Sequence, residues 1–525
     1  MKILTATEMK EVDRLTTARY RVPGLTLMEN AGCSVAEFIR SRFPDLERRR
    51  IVVLCGKGNN GGDGFVVARH LKKMGAKPVV YLIGDPRQVK GDPAKNLKRW
   101  KRSGTISFDM EARKGLSLPL SGHLIVVDAL LGTGIRGPVE GRLREVIRSV
   151  NERDPTCTVV SVDIPSGLHA DTGEVQGVAV IADHTITFTA PKPGLILVAG
   201  GRHVGQLAVR QIGSPPTLVE ETGKGRLRWS EAAEFIAFGL PRKAAANKGD
   251  YGHALIVAGS VGKSGAAVMA SRAALRAGAG LVTVATPEPV LPIIAAHTPE
   301  IMTELLAATK AGTISERCLE GSLFATLLSG KRALAVGPGL STQDETQRFV
   351  RVIVGQRTVP IILDADGLNA FAGRASALKH SEGMLCVTPH PGEMARLLGC
   401  TAKEVQARRV EVALQAAAEW NAVVILKGSG TVIASPDGHA FINSTGNPGM
   451  ATGGTGDVLT GVLAGLTAQY GTADWPRLLA FGVYVHGLAG DIAYAESGEA
   501  PLMASDLIRA IPRAYRQFYS ECGRG

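Results

Sequence analysis

Short, nearly unbroken runs of Val, Ile and Leu alternate along this chain with segments whose apolar positions recur every three to four residues. Runs at 51–55, 79–83, 124–128, 158–163 and 184–188 predict a first series of strands. Runs at 254–259, 281–285, 333–336, 361–364, 385–388 and 423–427 predict a second. A strand that is apolar at every position is buried on both faces, as in a parallel sheet covered by helices. Helical periods fall between the runs, for example at 65–74 and 266–277, so the expected architecture is doubly wound α/β. The pattern lapses at 211–228 (QIGSPPTLVEETGKGRLR), where a Pro-Pro pair, glycines and mixed charges replace any periodicity. The expected organisation is a first domain over 1–215, a linker over 216–228 and a second domain over 229–520, each with its own sheet.

Composition refines this picture only at a few points. At 525 residues the chain can bury two sizeable cores. Glycine is enriched, at 63 residues or about 12% against roughly 7% on average. Lys and Arg outnumber Asp and Glu by 60 to 48, a net charge of +12 that favours anionic ligands. Aromatic residues make up 5%, too few for a single-stranded nucleic-acid platform, and duplex-reading motifs are absent. Nucleic acid is therefore not an expected partner. Seven scattered cysteines without a C-x-x-C spacing exclude a disulfide framework and a thiolate zinc site. Charges run through the first turns of MKILTATEMKEVDR, unlike a signal peptide. Asp128 interrupts the stretch read as most apolar, so no membrane span is expected and the expected location is the cytoplasm.

The glycines concentrate after strands. The first run leads into GKGNNGGDG, in which Gly56, Gly58 and Gly61 match G-x-G-x-x-G and Asp85 closes the next strand. That spacing admits a nicotinamide dehydrogenase. Asn59, Asn60 and Asp63, however, add donors and acceptors that a plain pyrophosphate turn does not need. A second loop, Gly132-Thr133-Gly134-Ile135-Arg136-Gly137-Pro138, follows the strand ending at Asp128, and Ser166 lies just beyond Asp163 at the end of another. In a parallel sheet these ends share one edge, so Asp128 and Asp163 are expected to converge with the Asn-rich loop.

The set MENAG at 28–32, GNNGGDG at 58–64, DALLGTGIRG at 128–137, DIPSG at 163–167 and PKPG at 191–194 resembles the YjeF N-terminal family of NAD(P)H-hydrate epimerases. The resemblance implies a Rossmann-like three-layer sandwich. It further implies that Asn59, Asn60, Gly61, Gly62, Asp63 and Gly132, Thr133, Gly134, Ile135, Arg136, Gly137, Pro138 hold the hydrated dinucleotide, with Asp163 close to the nicotinamide. Asp163 is the preferred proton-transfer residue and Lys192 a second candidate. Asn60, Asp128 and Ser166 would bind a potassium ion, for which hard oxygen ligands are suited.

In the second half, Gly259–Ala266 contains Gly-Lys-Ser but fails the P-loop fingerprint, since Val257 stands where its first glycine is needed. Strand ends then carry Gly337-Pro338-Gly339, LDADGLN at 363–369, PHPGE at 389–393 and KGSGT at 427–431. Last comes NPGMATGGTGD at 447–457, opening a helical run. Successive glycine N–H groups at a helix start form an anion hole for a migrating phosphoryl group. Asp457 at its rim is placed to take a proton from an attacking hydroxyl. This loop resembles the ribokinase-like superfamily, and the three motifs together its YjeF C-terminal branch, the NAD(P)H-hydrate dehydratases.

That second resemblance implies a ribokinase-like α/β domain. Gly339, His390 and Asp457 would contact the hydrate, while Lys427, Gly428, Ser429, Gly430, Thr431 and Gly456 would bind the nucleotide. ADP is favoured over ATP, with a magnesium ion. The combined expectation is a bifunctional enzyme acting on the hydrates NADHX and NADPHX, with Asp457 and Asp163 as its catalytic residues and a homo-oligomer as its assembly. A small-molecule kinase, a dehydrogenase and a non-catalytic nucleotide sensor are the rivals that activity assays would separate.

Overall fold

The computed structural model describes residues 1–109, 123–197, 203–239, 242–380 and 384–523. The chain divides into two compact units, one of Lys2–Gly225 and one of Met1 with Arg226–Gly525. Both are α/β.

Seven strands are described in the first unit: β1 (Arg50–Cys55), β2 (Lys77–Ile83), β3 (Thr105–Asp109), β4 (Leu124–Ala129), β5 (Thr158–Val162), β6 (His184–Phe188) and β7 (Gln206–Arg210). They form one parallel sheet in the order β3-β2-β1-β4-β5-β6-β7. Strand alternation divides the core into two layers. Ile51, Val53 and Cys55 pack with Phe65, Val67 and Leu71 on one face, whereas Val52 and Leu54 pack with Val146, Ile147 and Val150 on the other. This is the three-layer arrangement expected from the apolar runs.

The second unit contributes β8 (Leu227–Trp229), β9 (His253–Val257), β10 (Leu281–Pro287), β11 (Met302–Leu306), β12 (Ala333–Val336), β13 (Ile361–Leu363), β14 (Leu385–Val387), β15 (Val423–Leu426), β16 (Val432–Ala434) and β17 (Ala440–Ile442). These ten described strands lie in the order β11-β10-β9-β12-β13-β14-β15-β16-β17-β8. The ladder is parallel except where β16 meets β15 and β17. Within the core, helix Ser264–Ala277 turns a face of Ala267, Ala270, Ala273, Ala274 and Ala277 towards the centre. Helix Thr455–Tyr470 is buried from Val458 to Ala468.

Two expectations change. The stretch read as a structureless linker carries helix Pro216–Thr222 and strand β8, and the units meet between Gly225 and Arg226. The Pro-Pro pair, read as a breaker, starts that helix, because proline at a first-turn position gives up an N–H that has no intrahelical acceptor. Second, helix Trp475–Ser497 is long and apolar enough to cross a membrane by length and composition, contrary to the expectation of no such stretch. Its apolar window is 78% buried, so its hydrophobicity serves the core of the second unit.

Candidate active sites

In the first unit the strand order reverses at β1, between β2 and β4, which opens a crevice beyond their carboxyl ends. Helix Asn59–Lys73 begins there with Gly58 as N-cap and no side-chain cap. The Gly62 N–H is already bonded to the Gly58 carbonyl (3.1 Å), so the first-turn amides without an intrahelical acceptor are those of Asn59, Asn60 and Gly61. A Cβ on Gly56 would strike the Leu130 carbonyl, and one on Gly61 the Gly56 carbonyl. Two glycines of the triplet thus reflect chain packing, whereas a Cβ on Gly58 would meet nothing. Asp85, the acid a dehydrogenase would present to ribose, caps a short 3-10 turn and pairs with Arg87 (3.0 Å).

Asp128 and Asp163 take different partners. Asp128 is fully buried and accepts from Ser161 Oγ (2.8 Å), the Ser166 N–H (2.9 Å) and Ser166 Oγ (2.5 Å). Burial pushes its carboxyl above the ordinary value despite those hydrogen bonds. Asn60 Nδ2 donates to the Leu131 carbonyl (2.8 Å), and its Oδ1 is buried without a partner. Leu131 N–H in turn donates to Ser166 Oγ (2.8 Å). Asn60, Asp128 and Ser166 therefore meet around the Leu131 backbone, with Asn60 Oδ1 left unpartnered. The glycine loop from Gly132 to Pro138 runs beside it, with Gly134, Arg136, Gly137 and Pro138 exposed and Thr133 and Ile135 half-buried.

Asp163 sits at φ +64, and the Ile164 N–H bonds back to the Val162 carbonyl (2.8 Å). Such a three-residue turn is rare for a non-glycine residue and strained. Thr189 repeats it one strand away, also at φ +64, with Ala190 N–H on the Phe188 carbonyl (2.7 Å). The two turns aim Asp163 at Lys192, whose side chain is 2% exposed. Lys192 Nζ lies 2.6 Å from Asp163 Oδ1 and 2.8 Å from Thr187 Oγ1. Asp63 completes the group, its carboxyl held well above the ordinary range by burial and by the Asp163 and Asp13 charges. Asp13 was not read from the sequence, where it looks like one more charge on a polar helix.

The second site also lies at carboxyl ends of neighbouring parallel strands. β9 is its switch point, between β10 and β12. There Ser260 Oγ donates to the Gly339 carbonyl (2.7 Å), and Gly339 adopts φ +65. Helix Thr455–Tyr470 starts with Gly454 in the left-handed region and no side-chain cap, leaving its first-turn N–H groups without an intrahelical acceptor. A Cβ on Gly456 would lie 3.5 Å from Lys427 Nζ and 3.8 Å from Asp364 Oδ2. Lys427 is held by Asp364 Oδ1 (2.7 Å) and Glu393 Oε2 (3.8 Å). Burial works against its charge, but those two carboxylates keep its pKa above the ordinary value. Asp364 also accepts from Thr460 Oγ1 (2.7 Å). Asp457 is pushed up to about 7, first by burial and then by the Asp364 carboxylate. His390 caps helix Pro391–Leu398 through Nδ1, which accepts from the Gly392 N–H (3.0 Å). Beyond β15, Gly428, Ser429 and Gly430 form an exposed turn closed by Thr431 Oγ1 on the Gly428 carbonyl (2.9 Å).

Asp364, which holds Lys427, and Thr460, which donates to Asp364, are the neighbours that sequence reasoning does not reveal. The motif LDADGLN reads as a loop, and the signal within it is an acid closing an otherwise apolar strand. Among the described residues no three His, Cys, Asp or Glu side chains group as metal ligands.

Two α/β units, each with a glycine-rich turn at a switch point and an acid–lysine pair with at least one partner buried, define a two-site nucleotide enzyme. Residues 254–513 match the family model described as NAD(P)H-hydrate dehydratase, and residues 24–194 the YjeF-related protein N-terminus. The bifunctional NAD(P)H-hydrate repair enzyme Nnr of Moorella thermoacetica is 44% identical over 529 residues, covering 99% of this chain and 98% of the relative. That of Thermofilum pendens is 43% identical over 519 residues, covering 98% and 96%. An ADP/ATP-dependent NAD(P)H-hydrate dehydratase from Bacillus subtilis, co-crystallised with ATP and Mg²⁺, is 34% identical, with 55% of this chain and 98% of that chain covered and a TM-score of 0.49. The chain belongs to the family of bifunctional NAD(P)H-hydrate repair enzymes.

Proposed function

We propose that the first unit interconverts the R and S epimers of hydrated NADH and NADPH at C6, and that the second dehydrates the S form using ADP. The observation that carries the reading is Asp457 in the uncapped first turn of its helix, with Lys427 close to Gly456. Asp457 takes the proton of the C6 hydroxyl, which attacks the β-phosphate of ADP. The first-turn amides and Lys427 hold the developing negative charge. AMP leaves, and the phosphorylated oxygen, a far better leaving group than hydroxide, departs as phosphate while C5 gives up a proton to solvent and the C5–C6 double bond re-forms. ADP rather than ATP follows the family resemblance.

Magnesium neutralises phosphate charge in such transfers. Such an ion would enter with the nucleotide and supply that charge neutralisation there. In the first unit, Asn60, Asp128 and Ser166 would hold potassium. The orphaned Asn60 Oδ1 and the buried Asp128 carboxylate are the atoms a monovalent cation would complete. The remaining site residues are proposed in the roles the family resemblance implies: Asn59–Asp63 and Gly132–Pro138 on the dinucleotide, Gly339 and His390 on the hydrate, and Lys427–Thr431 with Gly456 on the nucleotide. Seven free cysteines fit a reducing cytoplasm, and a homo-oligomer is checked by sedimentation.

The test mixes R and S hydrates with ADP and Mg²⁺ and follows recovery of reduced-nicotinamide absorbance. The whole chain should recover all of it, Asp163→Asn only the S share, and Asp457→Ala none while still epimerising. Equal loss of both activities in a folded Asp457→Ala chain would defeat the two-site reading.

A further inference from the structure

We infer that Asp13 is a second proton-transfer residue of the first site, working with Asp163 across the epimerisation. The inference rests on the epimerase reading above. Helix Ala6–Tyr20 is fixed against the Asp163 and Lys192 turns by several contacts. The Leu4 N–H donates to the Pro191 carbonyl (3.0 Å), one residue before Lys192. The Ala6 N–H donates to Asp171 Oδ1 (2.6 Å), and Ala6 packs on the cluster of Ile164, Leu168 and Leu195. A capping box of Thr5 and Glu8 secures the helix start. Asp13 lies on the side of this helix that buries Met9, Val12 and Thr16.

Its Oδ1 is buried with no hydrogen-bond partner, the one carboxylate oxygen in that state among the described residues. A buried acceptor without a donor is costly, and a carboxyl that is to exchange a proton with a ligand must keep such an oxygen free. The charged groups that act on Asp13 are Lys192 and Asp163, and Asp13 in turn acts on Asp63. Burial pushes it up to about 6, while Lys192 pairs with Asp163 directly (2.6 Å). Asp163 is thus paired with a cation, while burial makes Asp13 resist ionisation, as suits a group that is to act as an acid.

The reaction needs two such groups. C6 of the hydrate carries a hydroxyl and the ring nitrogen. A base removes the hydroxyl proton, the C–O bond becomes a carbonyl, and the C6–N bond breaks with its electron pair returning to nitrogen. That nitrogen takes a proton from an acid. Rotation about C5–C6 and the reverse steps close the ring on the other face. Both protons are returned and no oxidant is required. Asp163 serves as the base in opening and Asp13 as the acid, with their roles exchanged on closure.

The experiment follows R-to-S conversion chromatographically in the full chain without ADP, for wild type, Asp13→Asn and Asp13→Glu across pH 5–9. Asp13→Asn should lower kcat by about 10²-fold or more, with KM little changed and the alkaline fall of the profile lost. Asp13→Glu should regain part of kcat and restore that limb. Retention of wild-type kcat in Asp13→Asn overturns the inference. So does a loss carried by KM with an unaltered pH profile, which marks a packing role. Thermal melting checks the fold, and if Asp13→Asn melts early the Asp13→Glu profile decides by the same criterion. A wild-type chain that does not epimerise would instead defeat the parent reading.

Discussion

A carboxylate that is to deprotonate an alcohol near neutrality must be basic enough to do so, and Asp457 reaches about 7 because it is buried close to Asp364. The same lift sets a sign for stability. Its folded pKa exceeds the unfolded value of 3.8, so between those values the native state binds more protons and stability falls as pH rises. Asp457→Asn removes the cost of burying that charge, and its melting temperature should exceed wild type at pH 8 by more than at pH 5. Asp364 has a separate effect on rate. It grips Lys427 through Oδ1 and Thr460 through Oδ2, both at 2.7 Å. Asp364→Asn should cut kcat/KM for dehydration by about 10²-fold or more, since it loosens the lysine beside the anion hole. It should also move the acid limb of the pH profile downward, because a negative neighbour of Asp457 is gone. An acid limb that stays in place in Asp364→Asn would contradict this coupling.

Helix Thr455–Tyr470 can bring Asp457 to the strand edge only because it lies unusually close to helix Ser264–Ala277. A Cβ on Gly461 would fall on the Ala270 carbonyl, and one on Gly465 on the Ala274 carbonyl. In the interior of an exposed helix, alanine would be worth about 1 kcal/mol over glycine. Here the forced separation outweighs that gain, and Gly461→Ala should destabilise by about 1–3 kcal/mol, read as an earlier thermal transition with reduced dehydratase activity. A neutral or stabilising effect would mean that the helices can part without harm. Burial decides which elements are legible in the chain. Long apolar runs such as β1, β4 and β9 announce burial on both faces, and the Gly-rich turns after them announce the edge that binds ligands. The strands β16 and β17 follow β15 with no helix between them, outside the strand–helix alternation, and β8 follows a helix begun by prolines. Asp13 and Asp364 escaped notice for a related reason. Their meaning lies in partners far along the chain, such as Lys192 and Lys427, and no spacing in one sequence records that.

Taken as a whole, the molecule places two chemistries on two separate sheets, so an influence on one site need not reach the other. The proposed potassium site gives a clean case. Asp128 is fully buried and held by serine hydroxyl and amide donors, with no ion pair reaching it among the described residues. A buried carboxylate without a cation favours its neutral form, and a bound monovalent ion would offset that cost while also satisfying Asn60 Oδ1. Potassium should therefore raise the unfolding transition of the first unit, by about 2.7 kcal/mol at a hundredfold excess over its dissociation constant. Replacing potassium chloride by N-methylglucamine chloride at equal ionic strength should remove that gain and slow epimerisation, leaving ADP-driven dehydration of the S hydrate unchanged. Asp128→Asn should melt at the same temperature in either salt. Equal dependence of both activities on potassium would show that the ion acts outside Asn60, Asp128 and Ser166, because those three residues belong to the first unit alone.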